Sequence, residues 1–118
     1  MTQIEAVKAY KALLNLSECK MPIAAALAVF RAKKALSPAF EFHAEQERKI
    51  AESHHAKVEN GSYKINDPEE AQKMVAELKE LCEADSGITV DRITIKADDG
   101  IRLSPADIEA LEPILMVE

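Results

Sequence analysis

The sequence predicts a mostly α fold: a long helical hairpin with an N-terminal helix, a small β element and a short C-terminal helix, α+β only in a minor sense. Three observations carry this. Apolar residues recur at helical spacing through the first half, the turn signal Asn60-Gly61-Ser62 closes that run, and β-branched residues cluster only after Ser86-Gly87. At 118 residues the chain is read as a single domain, 1–118.

Thr2 and Glu5 form a Thr-x-x-Glu capping box, and Ile4, Val7, Tyr10, Leu13 and Leu14 follow at helical spacing, which predicts a helix over 3–16. Asn15 to Lys20 is polar. Pro22 then suits a first helical turn, and a second helix is predicted over 22–58. Its first half is apolar at Ile23, Ala26, Leu27, Phe30 and Leu36, and Ala24, Ala25, Ala26 and Ala28 permit close helix approach. Its second half is sparser, with Phe40, Ala44, Ile50, Ala51 and Val58. Pro38 lies inside this pattern and removes one backbone hydrogen bond, at a cost of roughly 3 kcal/mol if nothing compensates. A kink near Lys34 to Leu36 is expected, since the helix-forming run continues to Lys57; the alternative is a break at Ser37.

The chain reverses at Asn60-Gly61-Ser62, and Tyr63-Lys64-Ile65 reads as a short extended piece. Asp67-Pro68-Glu69-Glu70 then caps a third helix, predicted over 68–84 from the stripe Ala71, Met74, Val75, Leu78, Leu81 and Cys82. At 1.5 Å per residue the three helices come to about 21, 55 and 26 Å in chain order, so the two shorter ones cover different halves of the long one. A β element is predicted over 88–103: Ile88 to Ile95 with a bend at Asp91-Arg92, a turn at Asp98-Asp99-Gly100, and Ile101 to Leu103 returning as partner strand. Ser104 then caps a last helix, predicted over 105–112, with Pro105 in its first turn, Asp107 reaching back to the cap and Pro113 stopping it.

No apolar run approaches bilayer-spanning length and no signal-peptide pattern opens the chain, so a cytoplasmic protein is expected. Cys19 and Cys82 are read as free thiols. The net charge of -6 is unevenly spread. Residues 1–38 carry six Lys or Arg against two acids, residues 39–86 six against twelve, and the remainder three against seven. Attraction between the oppositely charged halves, within one chain or between copies, is the simpler expectation; a basic face for an acidic partner or a phosphate backbone is the other.

No catalytic residue, cofactor or metal is predicted. His43, Glu47 and His54 fall near one helix face with His55 adjacent, but only the first pair has one-turn ligand spacing, so they are read as solvated, with His43 pairing Glu47. Asp98-Asp99-Gly100 lacks the alternating ligands and closing glutamate of a calcium loop. Ser104 has no nucleophile elbow around it, and three glycines cannot build a phosphate loop.

The order of parts, with Tyr63-Lys64-Ile65-Asn66-Asp67-Pro68-Glu69-Glu70 and above all Leu103-Ser104-Pro105-Ala106-Asp107 running to Leu111-Glu112-Pro113-Ile114, resembles a family of small proteins encoded by tailed bacteriophages and prophages of Gram-positive bacteria. The resemblance implies phage origin, in the host cytoplasm or with the virion, and carries no catalytic motif. Two functions follow as expectations. The first is a non-enzymatic structural or assembly component that contacts other copies or another phage protein through Ile23, Leu27, Phe30, Phe40 and Ile50; a prefoldin-like client-binding hairpin is a variant of it. The second is a small regulatory or host-interaction module that binds nucleic acid or a host protein through Lys8, Lys11, Lys20, Arg31, Lys33 and Lys34. No helix-turn-helix spacing with a glycine turn appears among those bases, which weighs against nucleic acid.

Overall fold

The computed structural model describes Met1–Glu118 in full. Its order is α1 (Gln3–Leu16), α2 (Ile23–Ser53), β1 (Lys57–Glu59), β2 (Ser62–Lys64), α3 (Pro68–Glu83), β3 (Ile93–Ile95), α4 (Pro105–Leu111) and β4 (Leu115–Val117). Mostly α with minor β is therefore the observed class.

The local signals act as their chemistry requires. The Thr2 hydroxyl accepts from the Glu5 N–H at 3.2 Å while the Glu5 carboxylate accepts from the Thr2 N–H at 3.0 Å, closing the capping box of α1. Asp67 caps α3 through the Glu69 N–H at 2.9 Å, and Ser104 caps α4 through the Asp107 N–H at 3.1 Å. α2 runs unbroken through Pro38, so there is no division at Ser37. Pro38 and Lys34 are both exposed, and the Lys34 carbonyl that loses its helical partner can bond water.

Two predicted boundaries are corrected. The second helix does not reach Val58. It stops at Ser53 because His55 takes a left-handed conformation (φ 57°), the Ala56 N–H donates to the Ala51 carbonyl and the His55 N–H to that of Glu52, which is a Schellman ending. That frees Lys57–Glu59 to pair antiparallel with Ser62–Lys64 across Asn60-Gly61. Both turn residues have positive φ, 51° and 79°, as a two-residue type I′ turn requires. The predicted β element over 88–103 shrinks to Ile93–Ile95, and its partner is not Ile101–Leu103 but the C-terminal Leu115–Val117, in parallel register. Parallel pairing needs a crossover, and α4 supplies it. Ile101 and Leu103 pack half-buried against the core without pairing.

The core is thin. Only 20 of 118 residues are buried, and the main cluster joins Ala6, Ala9, Ala12, Leu13 and Leu16 of α1 to Ala25, Val29, Ala32, Leu36 and Ala39 of α2, with Ile93, Ile95, Leu111 and Ile114 beneath. α1 also packs on α4, and α3 packs on α1 and the distal part of α2. The N-terminus fastens α3: the Gln3 N–H donates to the Ala84 carbonyl at 2.8 Å, and the Met1 carbonyl accepts from the Ser86 N–H and hydroxyl, each at 2.9 Å. The molecule measures 52 × 29 × 18 Å, the long dimension following α2. Its radius of gyration of 16.8 Å exceeds the roughly 13.5 Å of a compact chain this long.

Candidate functional site

At about 100° per residue, Ala25, Val29, Ala32, Leu36, Ala39 and His43 share the face of α2 that is buried. Ile23, Leu27 and Phe30 fall about half a turn away, on the solvent side, where they are 86%, 43% and 59% exposed. Direction, more than the length mismatch between helices, leaves them uncovered: α1 packs on the alanine-rich face, and the large side chains point outward from the same stretch. Scattered exposed apolar residues are ordinary, but three in line make a patch. Burying each fully is worth about 1.5–3 kcal/mol, so a partner gains several kcal/mol by covering them. Beside them Cys19, Met21, Val29, Phe30 and Lys33 line a groove of about 160 Å³.

The other two predicted contact residues sit elsewhere. Phe40 is half-buried with its ring 4.8 Å from that of Tyr10, centroid to centroid, and Ile50 is also half-buried. Phe42, not anticipated, is 50% exposed on the flank of α2.

The nine ion pairs all lie between His43 and Glu83. Lys8, Lys11, Lys20, Arg31, Lys33 and Lys34 take part in none, so the expected attraction between the two halves of one chain is not realised through ion pairs. From Cys19 to Phe40 there is no acid in the sequence; Arg31, Lys33 and Lys34 lie on α2 with the Ile23, Leu27, Phe30 patch, while Lys20 lines a cleft with Asp98 and Asp99. Lys8 and Lys11 face a different cleft of about 560 Å³ between α1 and α4, shared with Glu5, Asp107, Glu109 and Glu112.

His55 is exposed and His43 pairs Glu47, both as expected, but His43 and His54 are not solvated. His43 is buried, with Nε2 3.4 Å from Glu47 and Nδ1 without a partner. His54 is nearly buried and ties the end of α2 to α3, its Nδ1 2.6 Å from Glu70 and its Nε2 3.1 Å from Glu77. The sequence signal for this clasp was the seven-residue spacing of Glu70 and Glu77, which aligns them on one helix face. The hydrogen bonds that Glu70 and then Glu77 accept raise the His54 pKa, and the bond that His54 donates lowers that of Glu70, with Lys73 assisting. Both ring nitrogens face carboxylate oxygens, so the protonated ring donates from both. A raised pKa contributes stability that is complete below the ordinary histidine value of about 6.5 and is lost as pH climbs through the folded value. The lowered Glu70 contributes above its ordinary value and fades as pH falls through the folded one. Urea unfolding is therefore expected to show stability declining above about pH 6.5, and His54→Gln should flatten that decline; an unchanged slope in the variant would mean the clasp does not form.

No group of three His, Cys, Asp or Glu side chains is arranged to hold a metal ion, and no helix is long and apolar enough to cross a membrane. Compared with protein-family models, curated proteins and solved structures, the chain matches none.

Proposed function

We propose that this chain is a non-enzymatic phage or prophage protein, a structural, assembly or interaction component that works through helix–helix contacts with copies of itself or another phage protein. The observation that carries the reading is the line of Ile23, Leu27 and Phe30 on the solvent side of α2, opposite its buried face. The area supports it too. The chain exposes 7990 Å² at 13.0 kDa, about 1,600 Å² more than the roughly 6,300 Å² of a compact monomer of that mass. The resemblance of Leu103 to Ile114 to small phage proteins supports the phage setting.

A photo-crosslinking residue in place of Leu27, in cells making the phage proteins, tests the reading. Protein adducts from position 27 and none from exposed Gln72 on α3 are expected; a clean position 27 would sink it. The second reading, a regulatory or host-interaction module binding nucleic acid or a host protein, draws on the six cations without ion pairs. It requires solution mass to rise on adding DNA at low salt and fall back at high salt.

A further inference from the structure

The basic patch on α2 has a counterpart on the same chain. Ile108, 51% exposed, and Val117, 57% exposed, lie beside Pro105 and half-buried Leu115 in a shallow cleft of about 480 Å³ bordered by Glu109 and Glu112. From Leu103 to Glu118 there are four acids and no lysine or arginine. From Cys19 to Phe40 there are four cations and no acid. Each stretch combines exposed aliphatic side chains with charge of one sign along the sequence, and the signs are opposite; in space Glu109 and Glu112 also border the cleft of Lys8 and Lys11, and Lys20 borders one with Asp98 and Asp99, so Arg31, Lys33 and Lys34 carry the charge of the α2 face. β4 also has a partner on one side only, so its outer edge is open.

We infer that the occupant of the α2 face is the C-terminal patch of a second copy of this chain, the acid-rimmed surface of α4 and β4 seating on Ile23, Leu27 and Phe30. The inference rests on the α2 face being an interaction surface and names what covers it. Pairing like patches fails on charge: two α2 faces meeting at Leu27 bring Lys34 of one copy towards Lys20 of the other, and two C-terminal patches set glutamates against glutamates. Pairing unlike patches joins aliphatic to aliphatic inside a rim of opposite charges. Such a contact closes into a two-fold dimer where both pairs of patches engage reciprocally, and otherwise runs head to tail into a ring or filament.

Light scattering on the purified chain tests this through paired charge reversals. Wild type is expected to exceed 13.0 kDa as concentration rises through the micromolar range, with the assembly weakening in salt. K33E/K34E and E109K/E112K should each stay near 13.0 kDa alone, because the charges at positions 33 and 34 and those at 109 and 112 then share one sign and no longer attract. Mixed in equal amounts they should assemble again, since each then meets an opposite patch on the other. Far-UV circular dichroism checks that both remain helical; if either does not, Phe30→Ser and Val117→Ser replace them, each expected to abolish assembly. A wild type that stays at 13.0 kDa throughout, or assembly indifferent to the reversals, overturns the inference. If Leu27 nevertheless crosslinks in cells to a protein of another mass, the α2 face remains an interaction surface and only its self-docking fails; if position 27 is clean as well, both fall.

Discussion

Replacing Leu13 by alanine is expected to cost the chain about 3–5 kcal/mol. Leu13 has no exposed surface and belongs to α1, the helix against which α2, α3 and α4 all pack. The loss combines the transfer energy of the removed methyl groups with the cavity left behind, and surrounding side chains are restrained from filling it because Leu13 sits inside the main buried cluster that joins α1 to α2. The consequence is large in proportion. A domain of this size has on the order of 5–15 kcal/mol in all, and so few buried residues place this chain towards the low end. Thermal unfolding should show the midpoint falling by roughly 10–20 °C, and the urea midpoint should fall with it. Leu27→Ala, the same chemical change at a position 43% exposed, should stay near 0.5 kcal/mol. Equal losses at the two sites would mean that the assignment of inside and outside is wrong.

That contrast also marks what could be read from the residues alone. Signals that act within a few residues were legible: the capping box at Thr2, the caps at Asp67 and Ser104, and the turn at Asn60-Gly61 all stand where their hydrogen bonds require. The end of α2 was not, because helix-forming residues continue to Lys57 and the chain stops instead at His55, a residue that tolerates positive φ without announcing it as glycine would. β4 was hidden for another reason. Three residues after a proline carry no strand signature of their own, and their pairing depends on Ile93–Ile95, about twenty residues earlier, through a crossover no local pattern encodes. Of the candidate site, Ile23, Leu27 and Phe30 were named correctly as large apolar residues of one helix, but periodicity gives a stripe without saying whether it points in or out. α2 has two stripes, a small one of alanines and a large one of aliphatic and aromatic residues, and burial belongs mainly to the small one.

Why the small stripe wins is open to experiment at Ala9, which is fully buried on α1 and faces the cluster that includes Ala25, Ala32 and Ala39. Helix axes pack 8–10 Å apart according to the side chains between them, and alanines allow the shorter end of that range. Close approach multiplies backbone and methyl contacts along the length of the seam, which compensates for the modest apolar area each alanine buries. Ala9→Leu adds three carbons. With room to spare they would stabilise the chain by about 2 kcal/mol. With alanines packed tightly they must force the helices apart, and the expected result is a net loss of about 1–3 kcal/mol with helical propensity almost unchanged. The sign decides between the two cases in a single urea titration. A gain would show that the seam has slack, and slack would leave little to hold α2 in its observed orientation against a half-turn rotation that buries Ile23, Leu27 and Phe30 instead. A loss shows that close packing of the alanines fixes the rotation of α2, and with it the outward direction of the three side chains on which the proposed partner binding depends.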